Sequence, residues 1–242
     1  MHKLWLTIFA TIVLSVSANA AELLVSAAAS LNESMKAIAA RFENETGNKV
    51  SLNFGGSNLL ARQIMEGASV DVFVSADEAQ MNRLVEAGKV AAPVALLTNS
   101  LVIVAPSGSP VHAPSDLEKI ARISLADPQA VPAGVYPRQF LETAGLWEKL
   151  KAKVVPAENV RAALAVVEAG NADAGIVYRT DARIAPKLQI VSTIPPEQSP
   201  KIIYPAAVLN SSQKPEAKAF LLYLKGAAAS EIFQRAGFGL AQ

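Results

Sequence analysis

ELLVSAAASLNESMKAIAARFENE, residues 22–45, passes from a short apolar, β-branched run, ELLVSA (22–27), into a helical pattern, LNESMKAIAARFENE. The same succession recurs at KVSLNF (49–54) before NLLARQIMEG, and at VDVFVSA (70–76) before DEAQMNRLVEAG. RISLAD (122–127) and ADAGIVYR (172–179) carry the rhythm further along the chain. Buried runs of this kind, alternating with helices, argue an α/β fold with mainly parallel sheets and helices on both faces. Gly67, Gly88, Gly145, Gly170 and Gly237 stand where helical patterns stop, as expected of the residue that tolerates a left-handed helix end.

Two segments interrupt this rhythm. LVIVAPSGSP (101–110) and SPKIIYPAAVL (199–209) are extended, apolar and punctuated by proline, which suits strands passing from one sheet to another. If both cross, residues 21–101 and 206–242 form one discontinuous lobe and residues 102–205 a second, with a cleft between them. KPEAKAFLLYLKG and AAASEIFQRAG would complete the first lobe as its terminal helices.

Composition narrows the possible functions. Residues 1–20, MHKLWLTIFATIVLSVSANA, carry one lysine, an apolar run and a small-residue site ending at Ala20, the pattern of a secretory signal peptide cleaved after Ala20. The apolar run is shorter than the roughly 20 residues a membrane span needs, so no membrane insertion is expected once the leader is removed. The chain has no cysteine, which excludes disulfides and a cysteine-borne lipid anchor; a bacterial periplasm fits best. The 22 basic and 21 acidic residues balance once Lys3 leaves with the leader, and no basic run is present, which argues against nucleic acid. His112 is the only histidine beyond the leader, so a metal site built on histidine or cysteine is not expected. GGSNL (55–59) lacks the final glycine of a G-x-S-x-G elbow, and no phosphate-binding glycine loop occurs. A secreted serine-dependent enzyme using Ser57 and His112 therefore ranks as the most distant alternative.

The informative positions lie where strands meet helices, since ligands of open α/β sheets bind beyond the carboxyl ends of strands. AAAS-LNES has Ser30 at a helix start with Glu33 three residues on, the pattern of a capping box. GGS-NLLAR places Ser57 similarly. DPQAVPAGVYPRQF (127–140) and PAENVRAALAVVEAG (156–170), the latter starting at Asn159 or Val160, lead into two further helices. Taken singly, Ser30 and Ser57 read as ordinary caps. In company with Gly55, Gly56 and Ala27–Ala29 they read differently, because several bare helix starts converging on a cleft form an anion site without lysine or arginine. Arg62, Arg138, Arg161 and Arg179 lie nearby, and none is expected to touch the anion. Asp71, Asp77 and Asp127 read as turn or cap residues.

AAASL (27–31), GSNLLARQI (56–64), VDVFVSAD (70–77), DPxxVPAG (127–134), ENVRAALAVVE (158–168) and GIVY (175–178) together resemble the periplasmic molybdate-binding proteins, the soluble components of molybdate importers. The resemblance runs the length of the chain beyond the leader. It implies a type II, two-lobed periplasmic binding protein, each lobe a mixed, mainly parallel sheet flanked by helices and joined to the other by two crossover strands. It also implies that Ser30 and Ser57 each give a hydroxyl and an amide to the oxyanion, Ala133 and Val160 an amide each, and Tyr178 its phenol. Asn159 departs from the aspartate expected there, which removes a negative charge near the site.

A site made only of donors suits a fully deprotonated tetrahedral dianion, whereas phosphate near pH 7 keeps a proton and calls for an acceptor. Molybdate, tungstate and sulfate all meet that condition, and the resemblance alone chooses molybdate and tungstate over sulfate. The expected function is capture of that oxyanion and delivery to an ABC importer's permease and ATPase, with no catalysis, cofactor or cation, by a chain expected to be a monomer. A binder of sulfate or another tetrahedral oxyanion is the alternative.

Overall fold

The computed structural model describes residues 22–241, so the signal peptide expected over residues 1–20 lies outside the described residues. The chain begins β1 (Glu22–Ala28), α1 (Asn32–Thr46), β2 (Lys49–Gly55), α2 (Ser57–Met65), β3 (Val72–Val74), α3 (Glu78–Glu86) and β4 (Val94–Asn99). It continues through β5 (Leu101–Pro106), β6 (Ile123–Ala126), α4 (Pro132–Thr143), α5 (Trp147–Leu150), β7 (Val154–Ala157), α6 (Val160–Glu168), β8 (Ala174–Tyr178), α7 (Arg179–Ala182) and β9 (Leu188–Thr193). It closes with β10 (Ile202–Val208), α8 (Pro215–Leu224), α9 (Ala227–Ala236) and β11 (Gly239–Leu240).

These strands form two sheets, one ordered β11-β4-β10-β3-β1-β2 and the other β7-β6-β8-β5-β9. Each contains a parallel trio, β2-β1-β3 and β7-β6-β8. The remaining pairings, made by β10 with β3 and β4, by β11 with β4, and by β5 with β8 and β9, are antiparallel. The sheets are thus mixed, but less parallel than expected. The reason is the exchange of strands: β5 starts where β8 ends, Leu101 opposite Tyr178, so a strand entering from the other lobe runs against its neighbours.

The exchange takes place at Ser100, between β4 and β5, and again over residues 194–201, between β9 and β10. Residues 202–205, expected in the second lobe, pair with β4 in the six-stranded sheet. The apolar runs are explained by burial on both faces. Val72 and Val74 join the main core while Phe73, pointing the other way, joins a second cluster with Leu60, Ile64, Met81 and Leu84 under α2 and α3. All five glycines expected at helix ends have positive φ, between 67° and 97°.

Gly134 sets the position of α4. A Cβ there would collide with the backbone oxygens of Ala126 and Asp127, at the end of β6. The first turn of the helix can lie against the strand end only because this side chain is missing. Gly134→Ala should therefore destabilise the protein by about 1–3 kcal/mol, the usual cost of overpacking, read as a lowered urea midpoint.

Candidate functional site

Beyond the carboxyl ends of both parallel trios lies a small cavity. Ala28 ends β1 and is followed by Ala29 and Ser30; Gly55 ends β2 and is followed by Gly56 and Ser57; after β3 comes Ala76. The second sheet adds Val131, Pro132 and Ala133 after β6, Asn159 and Val160 after β7, and Tyr178 at the end of β8. Ser30, Ser57, Ala133, Val160 and Tyr178, the five residues singled out in the sequence, thus line a single cavity. No lysine, arginine, aspartate, glutamate or histidine is among its walls. No cluster of metal-binding side chains occurs among the described residues.

The donors are backbone amides and hydroxyls. Ser57 and Val160 are the first residues of α2 and α6, and Ala133 is the second of α4. Amides so placed have no acceptor within their own helix and sit at its positive end. Asn159 is a true N-cap, its side chain accepting from the amides of Arg161 and Ala162.

Neither serine caps a helix, which corrects the capping reading and the capping box drawn from Ser30 and Glu33. Ser30 lies in a 3-10 turn, Ala29–Leu31, and its Oγ is 3.0 Å from the Tyr204 hydroxyl. The residue before α1 is Leu31, which has no side-chain oxygen to offer. Gly56 precedes α2, and Ser57 Oγ accepts from the amide of Ala76 at 2.9 Å. Each hydroxyl is thus held by residues distant in sequence.

Tyr178 is 1% exposed, and its buried hydroxyl has no hydrogen-bond partner in the protein. Burial pushes its pKa well above the usual phenol value, so it stays protonated. A buried hydroxyl without a partner costs about 1–3 kcal/mol, and this one borders the cavity. Asp77 and Asp127 behave as expected, one capping α3 and the other accepting from the amide of Gln129. Asp71 does more than close a turn: it accepts from the amide of Leu24 and from Ser212 and Lys214, tying β1 to the segment before α8.

Arg161 bridges the two lobes outside the cavity. Its Nη1 and Nη2 donate to Glu33 in α1 at 3.0 and 2.6 Å, Nη2 also donates to the Ser30 carbonyl at 3.3 Å, and Nε pairs with Asp181 in α7. Burial disfavours ionisation of Glu33, but the hydrogen bond and charge of Arg161, a backbone amide hydrogen bond and the charge of Lys36 together outweigh it and lower the pKa. Arg62, Arg138 and Arg179 face Glu66, Glu142 and the hydroxyls of Ser100 and Thr193, respectively. Gly56 marks the other close approach: a Cβ there would come 2.9 Å from the Glu158 carbonyl of the opposite lobe.

The profile of the bacterial extracellular solute-binding proteins matches residues 23–239. The chain belongs to this family. Among solute-binding proteins it is 40% identical to the molybdate-binding protein ModA of Escherichia coli K12, over 98% of this chain and 99% of that one. The periplasmic molybdate-binding protein of Azotobacter vinelandii superposes with a TM-score of 0.81 at 27% identity, covering 91% of this chain and all of that one. The sulfate-binding protein SubI of Mycobacterium tuberculosis superposes with a TM-score of 0.78 at 21% identity, covering 90% of this chain and 86% of the other, and speaks for the fold alone.

Sequence reasoning missed Asp181, Asn99 and Tyr204, which support the wall without lining it. Asp181 is fully buried, and burial pushes its carboxyl up to about 6 from 3.8, against the pull of Arg161. Between these values the folded chain keeps a proton that the unfolded chain has lost, so rising pH favours unfolding. Urea titrations should show the stability of the native protein falling relative to Asp181→Asn as pH rises from about 4 to about 6, then running parallel above that.

Proposed function

We propose that this solute-binding protein captures molybdate, and tungstate with it, in the periplasm and delivers it to an ABC importer made of a permease and its ATPase. The observation that carries this reading is a cavity walled by helix starts and hydroxyls with no charged side chain. Such walls answer a doubly charged anion with hydrogen bonds, each worth about 1.5–3 kcal/mol when made to a charged group. Ser30 and Ser57 contribute hydroxyl and amide, Ala133 and Val160 amides, and Tyr178 its phenol, whose unpaired proton the anion would accept.

Sulfate has the same charge and shape and also lacks a proton, so the donors by themselves suit it. Identity of 40% to a molybdate-binding protein supports molybdate. The protein acts as a monomer, without cofactor or catalysis, after cleavage of its leader following Ala20. His112 is exposed and outside the cavity, and its amide donates to Asp116, which gives Ser57 no base.

In this reading the lobe boundaries expected at residues 101 and 206 move to Ser100 and the 194–201 link, where the strands change sheets. Ligand favours closure because the donors are divided between the lobes, Ser30 and Ser57 on one side and Ala133, Val160 and Tyr178 on the other.

A thermal scan against a panel of oxyanions tests the reading. At 100 times its dissociation constant, molybdate should add about 2.7 kcal/mol of stability, with phosphate adding far less; no shift with any tetrahedral dianion would refute it. Calorimetry on Ser57→Ala should show the molybdate Kd rising about tenfold to a hundredfold, as for loss of one bond to a charged group, while His112→Ala leaves it unchanged. Gly56→Ala should weaken binding in the same calorimetry, because the added methyl meets the Glu158 carbonyl across the cleft and the Asn58 side chain beside it.

A further inference from the structure

Resting on the molybdate reading, we propose that Tyr204 and Asn99 are positioning residues that fix Ser30 as a hydrogen-bond donor and thereby reject oxyanions that carry a proton. The polarity of this chain of bonds can be followed from its start at the strand exchange. The amide of Ser100 donates to Asn99 Oδ1 at 2.9 Å, which identifies the other end of that side chain as the NH2 group. Asn99 Nδ2 donates to Thr180 Oγ1 at 2.9 Å and to Tyr204 Oη at 3.2 Å. Tyr204 is fully buried, and burial raises its pKa, so the phenol keeps its proton. Having accepted from Asn99, Tyr204 directs that proton to Ser30 Oγ, 3.0 Å away. Ser30 then accepts on the side of Tyr204, and its own proton faces the cavity it lines.

Ser57 reaches the same state by a simpler route. Its partner is the backbone amide of Ala76, which can only donate. Both hydroxyls therefore have an acceptor position filled from within the protein and present hydrogen to the ligand. An anion such as hydrogenphosphate would bring a P–OH hydrogen against these protons, whereas molybdate brings none. The selection is fixed at Asn99, the last residue of β4, and reaches the cavity through two side chains.

Tyr204→Phe keeps the ring and its edge-on contacts with Tyr178 and Phe238 while removing the proton that orients Ser30. Titration calorimetry with molybdate and with inorganic phosphate at neutral pH is the measurement. The molybdate Kd should rise about threefold to tenfold, as for one neutral hydrogen bond, and the ratio of phosphate to molybdate Kd should fall by about tenfold. In a Ser30→Ala background the same substitution should change neither value further.

Asn99→Asp supplies a second test at the start of the chain, since a carboxylate would accept from Tyr204 and turn Ser30 away from the ligand; it too should weaken molybdate binding. Equal weakening toward both anions by Tyr204→Phe, or its full effect surviving in Ser30→Ala, overturns the proposal while leaving the molybdate reading intact. Absence of molybdate binding by the unaltered protein overturns both.

Discussion

A doubly negative ion held without a cation needs donors on every side, and this requirement accounts for most of what surrounds the cavity. Amides without acceptors occur in quantity only in the first turns of helices. The fold answers by bringing the carboxyl ends of two parallel trios face to face, so that α2, α4 and α6 all begin at one place. Small residues follow from the same demand. Ala28, Ala29, Gly56, Ala76 and Ala133 keep side chains out of the way of main-chain hydrogens. Tyr178 is the exception in size, and it brings a buried, unpaired hydroxyl to the cavity wall.

Charge near the cavity is managed by being placed outside it. Arg161 belongs to α6, whose first residue lines the cavity, yet its guanidinium turns away toward Glu33 and Asp181. A lone arginine at that depth would carry a large desolvation cost, and two carboxylates offset it. The pairings also join α1 of one lobe to α6 and α7 of the other, so the same ions that leave the cavity walls neutral hold its two halves in register.

The sequence displayed the fold wherever burial was two-sided. β1, β3, β5 and β8 stood out as apolar runs, and the left-handed helix ends were marked by glycine. β7 was missed because VVPA is four residues long and carries a proline, β9 because most of LQIVST is exposed, and β11 because it has only two residues. β4 was missed because VALLTN runs into LVIVAP with a single serine between them. The five candidate residues were recognisable only through motifs, since GIVY alone reads as core and a serine at a helix start reads as a cap. What decides the chemistry of Ser30 is a tyrosine 174 positions away within IIYPAAV, a segment whose pattern signals nothing beyond a strand.

Gly56 has a consequence for how the molecule measures its cargo. A methyl group there would meet the Glu158 carbonyl of the opposite lobe and the Asn58 side chain of its own, so the two halves lie this close only because the position is glycine. The gap between the lobes is thereby set at one residue, and a single methyl group would alter it.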